Sequence, residues 1–311
     1  LIYCAFIFLR RKLFQWHLLK TNYFSAPVIV VGNITVGGTG KTPVVIALAR
    51  FLKEKGWRPG IVSRGYGGKI KHFPYQVHQN SNAREVGDEP LLIVRHTDCP
   101  TVIDPNRSRG VRALLKRAHC NLVISDDGLQ HSSLGRNIEI IVVDGERRFG
   151  NNFCLPAGPL REPTSRLNSV DFVISKENPL RHEFKLSLIP DHFYQLIQPK
   201  IKKTLDYFHG KTLHAVAGIG NPDQFFNSLR KLNLKIIEHP FPDHYLFKPH
   251  DFSYGSDAII IMTEKDAVKC VGFVDARLWC LNTKTELDTN LLNTVLKRVT
   301  TLNNNLKSSS G

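Results

Sequence analysis

The sequence predicts a doubly wound α/β fold with a mostly parallel sheet and a second, smaller α/β domain. Three observations predict it. The β-branched apolar run Pro27 to Gly32 (PVIVVG) leads through a glycine-rich loop into a stretch, 41–55, whose apolar residues recur at helical spacing. Further apolar runs of strand length at 60–63, 101–103, 122–125, 138–143 and 170–174 alternate with helical stretches near 90–96 and 107–119. From about Phe184 the pattern changes, and a second strand–helix–strand unit begins at Thr212.

Taken in order, Leu1 to Leu9 is apolar, Arg10, Arg11 and Lys12 follow, and Leu13, Phe14, Trp16, Leu18 and Leu19 come next. Nine apolar residues are too few to span a hydrocarbon core of roughly 30 Å. The positive charges follow the apolar run, whereas a secretory signal places them before it. With Lys20 as a fourth basic residue and no acid before Pro27, residues 1–24 are expected to form an amphipathic helix in an anionic membrane interface. The only methionine is Met262, so Leu1 is not an initiator and residues are expected upstream. Residues 25–183 form the expected nucleotide-binding core. Residues 184–203, with extended segments Phe184 to Ile189 and Phe193 to Gln198, are expected to be a linking β-ribbon. The smaller domain, 204–302, takes strands at 212–217, 235–238, 257–262 and 277–281, a helix ending at Lys231 and a last helix over 288–299. The end of the chain, 303–311 (NNNLKSSSG), is polar and expected to be disordered.

Composition narrows the function. Hydrophobic residues at 42% and charged residues at 22% exclude collagenous and low-complexity chains. The six cysteines show no CxxC pair and no zinc spacing, so reduced thiols are expected. A formal charge of +15 favours a polyanionic partner: nucleic acid, anionic lipid or a phosphorylated substrate. The basic residues are scattered and not interleaved with aromatics on one face, so nucleic acid is not expected as a partner.

The loop between the first strand and helix carries the chemistry. Thr35, Val36, Gly37, Gly38, Thr39, Gly40, Lys41 and Thr42 read as a P-loop with Thr35 in place of the usual first glycine. Backbone N–H groups freed by the glycines converge on phosphate oxygens at a helix N-terminus, where the helix dipole adds to the attraction. Lys41 would reach the β- and γ-phosphates, and the Thr42 hydroxyl would ligate Mg²⁺. Leu122 to Ser125 leads into Asp126 and Asp127, which supply the strand-end carboxylates such a site needs, and Asp144 after 138–143 reads as a turn cap. The guanine-reading pattern [NT]KxD is absent, since Ser175-Lys-Glu-Asn178 lacks the aspartate, and this favours ATP. A P-loop NTPase-like core follows.

The chain resembles the tetraacyldisaccharide 4′-kinases of lipid A synthesis. The resemblance rests on VGNITVGGTGKTP (Val31 to Pro43), SRGYGG (Ser63 to Gly68), GDEP (Gly87 to Pro90), DDGLQH (Asp126 to His131), RRFGN (Arg147 to Asn151), LPAGPLREP (Leu155 to Pro163), PDHYLF (Pro242 to Phe247) and MTEKDAVK (Met262 to Lys269). It implies transfer of the ATP γ-phosphoryl to the 4′-hydroxyl of a tetraacylated glucosamine disaccharide 1-phosphate. It also implies Mg²⁺ dependence and peripheral attachment to the cytoplasmic face of the inner membrane. Asp88 and His244 match the family's Asp–His pair, which would accept the hydroxyl proton; on local pattern alone Asp88 reads as a helix cap. The catalytic set is then Asp88, His244, Lys41 and Asp126, with Thr42 and Asp127 on the metal. Arg64, Tyr66, Arg107, Gln130, His131, Arg161 and Glu162 are the acceptor-site candidates, because guanidinium forks suit a sugar phosphate and a carboxylate suits sugar hydroxyls. A cleft between the domains is expected, as is its closure on substrate. The alternatives are a membrane-surface ATPase switch or metallochaperone with no sugar acceptor.

Overall fold

The computed structural model describes residues 2–308. Helix α1 (Ile2–Gln15) precedes strand β1 (Val28–Gly32), helix α2 (Lys41–Glu54), strands β2 (Pro59–Ser63) and β3 (Tyr75–Val77), and helices α3 (Ala83–Val86) and α4 (Asp88–Thr97). Then come β4 (Thr101–Ile103), α5 (Arg107–Arg117), β5 (Leu122–Asp126), β6 (Ile138–Asp144), β7 (Phe172–Lys176), β8 (Phe184–Gln195) and β9 (Lys202–Lys203). The second half comprises β10 (Thr212–Ala217), α6 (Pro222–Lys231), β11 (Lys235–Pro240), β12 (Ile259–Thr263), α7 (Glu264–Ala267), β13 (Leu278–Leu287) and α8 (Thr289–Ser308). Strand β3, whose three residues are only partly apolar, has no counterpart among the expected elements.

The two halves share one sheet, in the order β11-β10-β12-β13-β8-β7-β6-β1-β5-β2-β4-β3, with β9 paired to β8. Strands β1, β2 and β5 are buried along their whole length, which explains their continuous apolar runs. Most pairs are parallel; β3 with β4, β8 with β9 and β8 with β13 are antiparallel. The expected ribbon is therefore a structural strand of the sheet itself. β8 pairs in parallel with β7 from Phe184 to Leu186 and antiparallel with β13 from Leu186 to Gln195. Pro190, which interrupted the strand pattern in the sequence, sits opposite Thr283 where the register shifts, a place where a missing N–H is tolerated.

Two expectations at the end of the chain are corrected. Helix α8 does not stop at 299 but continues to Ser308, so the Asn-rich stretch is helical as far as described; residues 309–311 lie outside the described residues. Nor does α8 belong to the smaller half. Leu291, Val295 and Val299 are fully buried in the same cluster as Val44, Leu48 and Leu52 of α2 and Ile29 of β1. An apolar stripe at i, i+4 and i+8 needs an apolar partner, and the first half supplies it. The second half has its own cores, built around Phe193, Phe208 and Phe226 and around Phe247, Phe252 and Met262.

Candidate active site

Strand β1 ends at Gly32, and the chain turns through the glycine loop into α2. Gly40 caps this helix in the left-handed conformation (φ 94°), which a side chain would strain, and exposes the first-turn N–H groups. Thr35 is buried and bridges to Leu160, while Val36 N–H donates to Pro159 O (2.8 Å). Arg147 grips the loop from outside: its Nη2 donates to Gly38 O (2.9 Å) and its Nε to Asp144 Oδ2 (3.2 Å). Asp144 also accepts from the N–H groups of Glu146 and Arg147, the turn-capping role its sequence context indicated.

Strand β5, next to β1, delivers Asp126 and Asp127, the latter left-handed at φ 48°. Their environments differ. Asp127 lies between two cations, with Lys41 Nζ at 3.6 Å and Arg161 Nη1 at 3.1 Å. Burial pushes its pKa up, but Lys41 and Arg161 outweigh it and hold it below the usual carboxylate range. Asp126 is 3% exposed; its Oδ2 accepts from Ser63 Oγ (3.2 Å), and its Oδ1 has no hydrogen-bond partner among the described residues. Burial and the neighbouring Asp127 raise its pKa. A buried carboxylate oxygen with nothing to bind is a place for a cation. With the Thr42 hydroxyl at the head of α2 it gives the hard-oxygen set that Mg²⁺ prefers, so the residues present fit that ion.

Asp88 is the first residue of α4; the N-cap is Gly87, with no side-chain cap bond, so the helix-cap reading of Asp88 is not met, and its Oδ1 accepts from the adjacent Glu89 N–H (3.0 Å). Its other oxygen meets the imidazole of His244, Nδ1 to Oδ2 being 3.1 Å. His244 comes from the second half, on the loop after β11, and has a left-handed backbone (φ 60°). The hydrogen bond to Asp88 raises the His244 pKa. Burial alone would raise that of Asp88, but the His244 hydrogen bond and Lys265 override it and keep the carboxyl ionised. An ionised Asp88 fixes the Nδ1–H tautomer and leaves Nε2 as the proton acceptor. Tyr66 covers the ring, its centroid 5.1 Å away, and is itself 60% exposed.

The acceptor-site candidates divide. Arg64 is exposed and Tyr66 lies beside the dyad; both line a cavity of about 230 Å³ with Phe73 and Ile103. Arg161 is partly open and paired with Asp127. Arg107 differs from expectation: it is 1% exposed and spends its donors on the carbonyls of Asp104 (2.8 Å) and Asp126 (3.2 Å). It braces the aspartate loop because no free guanidinium could remain buried unpaired. Glu162 is likewise committed, to Gln130 Nε2 (2.7 Å) and Arg166 Nε (3.3 Å). Together Gln130 and Glu162 wall a cavity of about 390 Å³ under α1 that also presents Arg10, Arg11, Arg136 and Arg166. Burial, Arg107 and Arg64 push the His131 pKa down to about 4, so this ring is neutral.

Four contributors escaped the sequence reading: Ser63, Arg147, Lys176 and Lys265. Three lie within the recognised strings, which marked the segments without assigning the roles. Lys176, at the end of β7, bonds Gln224 of α6 and links the halves beside the glycine loop. The halves also meet directly, since a Cβ on Gly220 would lie 3.0 Å from Gly38 N.

A glycine loop opening a helix, with Lys41 in its first turn and two strand-end aspartates beside it on a mostly parallel sheet, gives the chain the fold and loop of a P-loop kinase. Comparison with known proteins specifies the kind. The family described as Tetraacyldisaccharide-1-P 4′-kinase matches residues 1–301. Proteins named tetraacyldisaccharide 4′-kinase from Coxiella burnetii (strain RSA 331 / Henzerling II) and Methylobacillus flagellatus are 50% and 47% identical over 281 and 303 residues, covering 90% and 97% of this chain and 83% and 90% of theirs. The crystal structure of LpxK from Aquifex aeolicus in complex with ATP superposes with a TM-score of 0.79 at 28% identity, covering 96% of both chains. The chain belongs to the tetraacyldisaccharide 4′-kinase family.

Proposed function

We propose that this chain transfers the γ-phosphoryl group of ATP to the 4′-hydroxyl of a tetraacylated glucosamine disaccharide 1-phosphate, a step of lipid A synthesis. The observation that carries the reading is the Asp88–His244 pair, 3.1 Å apart and contributed by opposite halves, which meet where Gly220 lies against Gly38 of the glycine loop and against Asp243. An ATPase switch has no use for such a base.

In the reaction, the loop N–H groups and Lys41 hold the β- and γ-phosphates. Thr42 and Asp126, with Asp127 nearby, would hold Mg²⁺, which would supply charge neutralisation to the phosphates. Asp126 is favoured over Asp127 as the metal-binding carboxylate because its Oδ1 is unpaired, whereas both oxygens of Asp127 are engaged by cations. His244 Nε2 takes the proton of the acceptor hydroxyl, whose oxygen bonds to the γ-phosphorus as the bond to the β-bridging oxygen breaks and ADP leaves. Asp88 stabilises the imidazolium so formed.

The acceptor has acyl chains, and α1 suits a bilayer surface. Phe6, Phe8, Leu9, Trp16 and Leu18 are each more than half exposed, among Arg10, Arg11 and Lys12. No described helix is long and apolar enough to cross a membrane. We place the enzyme at the cytoplasmic face of the inner membrane, with the sugar 1-phosphate in the arginine-lined cavity beneath α1. Calorimetry and turnover test the dyad: Asp88→Ala and His244→Ala are expected to bind ATP normally and to lose about 10²–10⁴-fold in transfer. Wild-type turnover in both would remove the pair from the mechanism.

A further inference from the structure

Lys265, the first basic residue of α7, has no role in the reaction described so far, yet it sits among the acidic side chains that surround the Asp88–His244 pair. Its Nζ lies 2.9 Å from Glu89 Oε1, 3.5 Å from Asp243 Oδ1 and 3.7 Å from Asp88 Oδ2. Asp88 and Glu89 belong to α4 of the first half; Asp243 and Lys265 belong to the second. Ligand atoms of Asp88, Glu89 and His244 converge within 4.8 Å of one another, and the cation seated beside them is this ammonium. Lys265 is mostly buried, its side chain 22% exposed, and so weakly screened.

We propose that Lys265 is a positioning residue of the proton-accepting pair: its ammonium neutralises the surrounding carboxylates and thereby keeps the His244 imidazole free to take the hydroxyl proton. The inference rests on the assignment of His244 as the base. Without a cation in the cluster, His244 would face Asp88 and Glu89 from α4 and Asp243 from its own loop, with Tyr66 against its ring, and would protonate too readily to serve near neutral pH. The ammonium opposes this: the hydrogen bond that His244 donates to Asp88 raises the proton affinity of the ring, and burial and then Lys265 lower it. The same contacts tie α7 to α4, so the neutralising charge arrives only when the halves are together. Glu89 completes the arrangement, since burial raises its pKa to about 7 despite Lys265. Loss of the lysine would leave Glu89 protonated and mask part of the effect on His244.

The test uses the full chain with ¹³C-labelled histidine, the His244 resonance being assigned from His244→Gln. Titration midpoints are compared between Glu89→Gln and Glu89→Gln/Lys265→Met, so that protonation of Glu89 cannot compensate. The midpoint is expected to rise by about one pH unit, a tenfold change in proton affinity, and to return in Glu89→Gln/Lys265→Arg. Lys265→Gln, which keeps a hydrogen-bonding side chain without the charge, replaces Lys265→Met if that variant does not fold. An unchanged or lowered midpoint overturns the role of Lys265, whatever the status of the base. Wild-type transfer by His244→Ala overturns the base assignment and the inference with it. In Lys265→Met the acid limb of the kcat profile is expected to move to higher pH along with the midpoint.

Discussion

The two adjacent aspartates have opposite electrostatics because their partners differ. Asp127 is surrounded by Lys41 and Arg161; Asp126 is buried with an oxygen that has no hydrogen-bond partner among the described residues. Asp126→Asn should therefore raise the Mg²⁺ concentration needed for half-maximal activity more than Asp127→Asn does, and equal Mg²⁺ titration curves would reverse the assignment. His131 makes a prediction about stability. Its folded pKa of about 4 lies below the ordinary value of 6.5, so the unfolded chain binds more protons between those values. This residue's contribution to folding is intact above pH 6.5 and declines as pH falls towards 4. Urea unfolding of His131→Gln should show a flatter decline over that window than the wild type. At this scale the motifs marked Lys41 and Asp88, and the structure sets Lys41 3.6 Å from Asp127 and Asp88 3.1 Å from His244. The sequence was misleading at Arg107 and Glu162, because whether a charged side chain meets solvent or a buried partner depends on neighbours far away in the chain.

The elements were legible to the extent that their burial is one-sided or complete. Strands β1, β2, β4 and β5 lie where their apolar runs predict, within a residue or so, since a fully buried strand must be apolar throughout. Helix α8 shows the limit. Its Asn- and Ser-rich end resembles a tail, yet the helix runs to Ser308, past Leu302, the last of its residues packed on the core of the first half. Leu291→Ala should cost about 2–5 kcal/mol in urea unfolding, as for a core position; a loss under ~0.5 kcal/mol would detach α8 from that core. For α1, removal of residues 1–20 should reduce partition onto anionic vesicles, and this reduction should diminish in high salt. Unchanged partition would remove the interfacial helix.

At the scale of the molecule, one sheet carries both halves, joined through β8, and the candidate site residues are drawn from both. The P-loop, aspartates and Asp88 come from one half; His244 and Lys265 come from the other. The sequence reading expected two domains with a cleft between them; the continuous sheet was not legible, because the pairing of β8 with β13 spans some ninety residues and leaves no local trace. The central claim is transfer to a lipid-linked sugar, and label transfer tests it most directly. γ-³²P-ATP, Mg²⁺ and a tetraacylated glucosamine disaccharide 1-phosphate in detergent are incubated with the wild type and with Lys41→Ala. Labelled bisphosphorylated lipid formed by the wild type and abolished in Lys41→Ala is the expected result; ATP consumption with no label in the lipid would contradict it.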